Sequence, residues 1–205
     1  MKNRIVLLIF WAVFTAIFTG PPVIAGEKTI SELVRDVIGP PSCTVINFGR
    51  HGEKAKKGLA EVITRLNHCV DADSDPYEEL MSGYGPYGQY RFGYEPFIKS
   101  SLSGVIVSES GRVLTLAHGI GPESDNVIYI AWSYAENGSR ILYEANVLRV
   151  NMNLDIAELQ ILGAQIKFPY IMWGNSDEVK TGDSVFVVSS PMGLPFSFIQ
   201  CEVAA

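Results

Sequence analysis

Two side chains able to move protons stand at the ends of apolar runs. His118 follows Gly111-Arg112-Val113-Leu114-Thr115-Leu116-Ala117, and Asp155 precedes Ile156-Ala157-Glu158-Leu159. An imidazole titrates near neutrality, so it can take a proton from a hydroxyl nucleophile and hand it to a leaving group; a carboxylate bonded to its N–H fixes the tautomer and stabilises the cation. Plainer readings stand beside that one: a histidine after an apolar strand is often a packed side chain, and an aspartate before one often caps a turn. The third part of such a site would be a serine among glycines, where free backbone N–H groups can hold an oxyanion. No G-x-S-G-G arrangement occurs in the sequence. Ser176, in Gly174-Asn175-Ser176, is followed by Asp177 and Glu178 and reads as a turn residue.

Other constellations carry less. Asp71, Asp73 and Asp75 imitate the start of a calcium loop, but Pro76 stands where the loop needs glycine and Ser82 where it needs glutamate. Cys43, Cys69 and Cys201 lack the C-x-x-C or H-x-x-x-H spacing of a zinc site, so neither a metal nor a cofactor is expected. An odd cysteine number leaves at least one thiol over; a Cys43 to Cys69 bridge is one of the open pairings. Gly83, Tyr84, Gly85, Tyr87, Gly88 and Tyr90 read as an aromatic-rich loop rather than a stacking site, and His51 and His68 have no evident partner. Asn137-Gly138-Ser139 matches a glycosylation acceptor, though a turn explains it without any sugar.

Composition narrows the class. With 47% hydrophobic and 19% charged residues in a chain of 205, enough apolar surface exists to offset the entropy of ordering, which excludes global disorder. A formal charge of -6 makes nucleic acid an unsuitable partner. Residues 1–25 read as a secretory signal: Lys2 and Arg4 precede an apolar run over 5–19, Gly20-Pro21-Pro22 breaks it, and Val23-Ile24-Ala25 suits cleavage near Ala25. That run is short for a span of about 20 residues, so a secreted or periplasmic protein with no membrane association after cleavage is expected.

The elements that must carry His118 and Asp155 follow from periodicity. Ile30, Leu33, Val34, Val37 and Ile38 share one helical face, stopped by Gly39-Pro40-Pro41, and a short apolar strand covers 43–48. Between 50 and 99 the texture is that of a long inserted loop, with a helix-like stripe at Leu59, Val62, Ile63 and Leu66. From 100 onward short β runs recur: 104–108, 112–117, 127–134, 140–150, 156–162 and Ser184–Ser189. Glu109-Ser110-Gly111 and Asn137-Gly138 supply turns. Many short strands with few helical periods argue for an antiparallel barrel or sandwich.

Three blocks then resemble the trypsin-like serine proteases, in particular the HtrA (DegP-like) branch. Ser103-Gly104-Val105-Ile106-Val107-Ser108 followed by 111–118 is similar to the strand, turn and strand that deliver that family's catalytic histidine. Asn153-Leu154-Asp155-Ile156-Ala157-Glu158-Leu159 resembles the segment bearing its catalytic aspartate. Gly174 to Asp177, Gly182-Asp183 and Ser190-Pro191-Met192-Gly193-Leu194 are similar to the stretch that crosses into the second barrel. Residues 31–48 resemble the helix and first strand of HtrA proteases; over 50–99 only Asp75-Pro76-Tyr77 and the aromatic content match.

The resemblance implies a mainly β fold: a trypsin-like antiparallel β-barrel, complete over 26–178, with an N-terminal helix and a long inserted loop at about 50–99. The first hairpin of a second barrel, only begun, would occupy 179–205. It implies a serine-type endopeptidase with His118 as base and Asp155 as its orienter. The nucleophilic serine would lie in second-barrel sequence that these residues do not contain, leaving them inactive alone. Polypeptide substrates, misfolded proteins among them in protein quality control, and a homo-oligomer come with the resemblance. The alternative is a catalytically inactive remnant acting as a binding or decoy module.

Overall fold

A computed structural model describes residues 4–10, 13–19, 39–50, 53–68, 78, 80, 98–122, 126–133, 140–189 and 197–204. The cleavage position at Ala25, the helix expected over 30–38, the aspartates at 71, 73 and 75, Cys69, His51, the Gly and Tyr tract, the Asn137-Gly138 turn and the 190–194 block lie outside them.

Alternating apolar residues at period two let a strand cover a core with one face, and six such strands close on themselves here. They are β3 (Ser42–Arg50), β4 (Ser100–Ile106), β5 (Arg112–Leu116), β6 (Asn126–Ser133), β7 (Arg140–Asn151) and β8 (Ile156–Ile161). All neighbours are antiparallel, in the order β3-β4-β5-β8-β7-β6 with β6 returning to β3. Closure leaves the sheet without an unpaired edge. Cys43, Val45, Ile106, Val113, Ile128, Ile130, Trp132, Ala157 and Leu159 fill the interior, and Phe168, after β8, closes over it with its ring edge against Trp132.

A second apolar layer explains why β3 is buried from Ser42 through Gly49. Its outward residues Ile46 and Phe48, with Val127, Tyr129 and Ala131 of β6 and Leu142 of β7, lie beneath helix α1, Glu53–His68, within the inserted region. The stripe foreseen there is the docking face: Leu59, Ile63 and Leu66 are buried and Val62 packs beside them. Each such burial stabilises by about 1.5–3 kcal/mol. Glu53 in the first turn and Arg65 and His68 in the last suit the helix dipole. Asn67 pins the far end, donating to the Leu142 carbonyl at 2.7 Å and accepting from the Leu142 amide at 3.0 Å.

Two further hairpins flank the barrel. The apolar run near the N-terminus forms β1 (Arg4–Phe10) and β2 (Val13–Thr19), paired from Arg4↔Thr19 to Phe10↔Val13. Its Ile, Val, Phe and Thr content favours extended backbone. At the other end β9 (Ser184–Ser189) and β10 (Ser197–Glu202) form a separate two-stranded sheet. Among the described residues no helix is long and apolar enough to cross a membrane.

Candidate active site

The β5–β8 ladder decides where the two proton-carrying residues meet. Leu116 pairs with Ile156, and the next rung is the Ala117 amide on the Asp155 carbonyl at 3.2 Å. Beyond that rung β5 turns into a single helical turn, α2 (Ala117–Ile120), while β8 is entered from the four-residue turn 152–155. His118 and Asp155 therefore sit at adjoining ends of neighbouring antiparallel strands.

Both oxygens of the Asp155 carboxylate are used. Oδ1 accepts the His118 backbone N–H at 2.8 Å, and Oδ2 lies 2.7 Å from His118 Nδ1. With the proton on Nδ1 the ring donates to the carboxylate, which leaves Nε2 with the lone pair that a general base needs. The imidazole side chain is 53% exposed and the carboxylate 34%, so a reacting group can reach the ring while its orienting partner is half covered.

The backbone on either side is specialised. Asp155 has φ +53°, alone among the described non-glycine residues in the left-handed region, which aspartate tolerates better than most. Asn151, the last residue of β7, holds that turn by accepting the amides of Asn153 and Leu154, both at 3.1 Å. On the histidine side, a Cβ at Gly119 would come 2.4 Å from Leu102 Cδ1, so glycine lets α2 lie against β4. Sequence reasoning missed a group of polar residues behind this turn. Asn47, Ser100 and Asn126 donate to the carbonyls at its C-terminal end, and their only signal is polar residues within strands.

The remaining candidates fall elsewhere. Ser176 opens a short 3-10 turn, Ser176–Glu178, whose preceding Asn175 side chain accepts the Asp177 amide at 3.2 Å, as a turn residue should. Cys43 is a free thiol inside the barrel, so it makes no bridge to Cys69; its sulfur lies beside Gly104, and burial pushes its pKa up. Cys201 is free and exposed on β10. His68 ends α1, with Nδ1 2.7 Å from the Thr64 carbonyl oxygen.

Residues 102–205, which contain β5, α2, β8 and the His–Asp pair, match the trypsin-like peptidase domain. The chain belongs to the trypsin-like peptidase family. Within that family it is HtrA-like. It is 33% identical over 94 residues to human serine protease HTRA4, covering 46% of this chain and 18% of that protein. Serine protease HTRA1 of Xenopus laevis is 33% identical over 104 residues, 48% of this chain and 21% of its own length. A probable periplasmic serine endoprotease, DegP-like, of Brucella suis is 32% identical over 92 residues, 45% and 17% of the two chains. The matched part thus spans about a fifth of each relative. The closed six-stranded barrel is the trypsin-like architecture that the three sequence blocks led us to expect.

Proposed function

We propose that this chain supplies the general-base half of an HtrA-like serine endopeptidase. His118 Nε2 would take the proton of an attacking serine hydroxyl and return it to the amine that leaves when the peptide bond breaks; Asp155 would orient the ring and stabilise its cation. The observation that carries the reading is the double engagement of Asp155, with ring Nδ1 at 2.7 Å and the His118 amide at 2.8 Å. The backbone contact anchors the carboxylate against His118 and the ring contact orients the imidazole on it, as proton transfer in a defined direction requires. Nucleophile and oxyanion hole would come from polypeptide outside the 205 residues, with 179–205 beginning the second barrel. Substrates would be polypeptides, misfolded ones included, and the assembly a homo-oligomer. Lys2, Arg4, the apolar run over 5–19 and Ala25 support export, as does the likeness to the probable periplasmic endoprotease of Brucella suis.

An active-site-directed fluorophosphonate tests this. The protein isolated from its native source is expected to be labelled at one serine outside residues 1–205, and His118→Ala to abolish the label. The purified 205-residue chain is expected to stay unlabelled. A labelled serine within 1–205 would overturn the assignment of the nucleophile, and a native protein that takes no label would leave the binding-module reading in its place.

A further inference from the structure

We propose that Asn47 is a positioning residue for His118, acting from β3, two strands along the barrel wall from β5, through the carbonyls of the turn that bears the histidine. This rests on reading His118 as the general base. Asn47 lies on β3, is fully buried, and belongs to no apolar cluster although its strand neighbours do. Its Nδ2 donates to the carbonyl of Gly119 at 2.8 Å and to that of Ile120 at 3.2 Å, while its Oδ1 accepts the Gly49 amide at 2.7 Å. Every polar atom of the side chain is thereby used, and both donors go to α2.

Helix α2 needs such support. Its last carbonyls have no partners within the helix, and a four-residue helix has no cooperative strength of its own. Among the described residues, only the Ala117 carbonyl is taken by local backbone, from the Gly121 amide at 2.8 Å. The Gly119 carbonyl instead receives Asn47 and the Ser100 hydroxyl, and the Ile120 carbonyl receives the side-chain Nδ2 groups of Asn47 and Asn126. Those donors stand on three successive strands around the barrel wall, β4, β3 and β6, and among the described residues Asn47 alone touches both carbonyls. At the other end of the same turn the His118 amide and ring meet Asp155. Asn47 and Asp155 therefore hold one short segment between them: releasing the first lets α2 rock about the second, and the Nδ1 to Oδ2 alignment is what that motion disturbs. A buried amide at this place also costs apolar contact in the core, which a purely structural strand position would not require.

The test reads the imidazole directly, in the chain as it stands. In a ¹⁵N-labelled sample at low temperature, the His118 Nδ1 proton bonded to Asp155 is identified by its disappearance in His118→Gln. In Asn47→Ala we expect that resonance to move upfield and to exchange with solvent about tenfold faster, the size of effect that losing roughly one net hydrogen bond from the closed state produces. Thr115→Val is the control for a merely structural loss. It removes a half-buried bond from the buried Thr115, Oγ1 to the Ser103 carbonyl at 2.9 Å, in the adjoining strand pair without touching α2, so melting should fall while the His118 resonance stays put. A folded Asn47→Ala chain with unchanged shift and exchange overturns the proposal, as does an equal change in Thr115→Val. If Asn47→Ala does not fold, Ser100→Ala removes one donor from the Gly119 carbonyl: faster exchange supports the clamp and an unchanged signal overturns it. Because no peptidase activity is measured, failure of this clamp and failure of the protease reading, which the fluorophosphonate reports, are told apart.

Discussion

In the proposed role the bond between His118 and Asp155 would act through orientation, so it is best probed by a change that keeps shape and removes charge. Asp155→Asn retains an acceptor for the His118 amide but offers the ring either an uncharged oxygen or an N–H, which favours the wrong imidazole tautomer. On the proposed peptidase reading, in the protein isolated from its native source, it is expected to lower kcat by about 10⁴-fold with little change in KM, the pattern of an interaction made only in the transition state. Steady-state hydrolysis of a fluorogenic peptide checks it, and a loss confined to KM would contradict the proposed role. The types of these two residues and their flanks were legible in the sequence. Their separation was not, and neither was the left-handed φ of +53° at Asp155, because the turn that ends there is held by the Ala117 amide on the Asp155 carbonyl and by Asn151 on the amides of Asn153 and Leu154, contacts made from other elements.

Among the elements, α1 shows how an insertion becomes part of a core. The stripe of Leu59, Val62, Ile63 and Leu66 identified a helix with one apolar face, but the face it would cover could not be read until β3 and β6 were seen to be apolar on both sides. Ile63→Ala is expected to cost about 2–5 kcal/mol, since the residue is 3% exposed and the cavity would open between two layers that relax poorly. Urea unfolding of the purified chain measures it; a loss below 1 kcal/mol would mean that α1 does not pack there in solution. The same layer makes a prediction in pH. Tyr129 is pushed up to about 12, first by burial and then by the nearby Glu144. Its folded value lies above its ordinary value near 10, so the unfolded chain releases the proton first and the native state loses stability as pH rises from about 10 to 12. Thermal melts across that window should show a shallower decline in Tyr129→Phe than in the wild type. The sequence placed the strand after the insertion at Gly104, whereas β4 begins at Ser100. Three serines hide it, since a serine run reads as loop, yet Ser100 is polar because it serves a carbonyl of α2.

For the molecule as a whole, the two described cysteines report whether the barrel is closed. Cys43 is 1% exposed inside it and Cys201 lies open on β10. The native chain is therefore expected to react with a thiol-specific reagent at Cys201 within minutes, and at Cys43 only after denaturation. Mass mapping after a timed pulse checks this, and early modification of Cys43 would show that the barrel opens. Beyond the barrel, Tyr170, Met172 and Trp173 project from the segment joining it to the terminal hairpin, and Ile199 projects from the hairpin itself.

What the amino-acid order settled unaided was local. Strand periods, the apolar helix stripe, the turn at Glu109-Ser110-Gly111 and the three family blocks are each written within a few neighbouring residues, where propensity and alternation act. Tertiary structure decided what lies across the barrel: that the ends of β5 and β8 adjoin, that Cys43 faces inward, and that Asn47 reaches the turn carrying His118 from 72 residues away. Those pairings depend on closure, which brings together groups whose positions along the chain carry no mark of one another. A polar residue in an apolar strand announces only that some buried partner exists; the closed sheet determines which one.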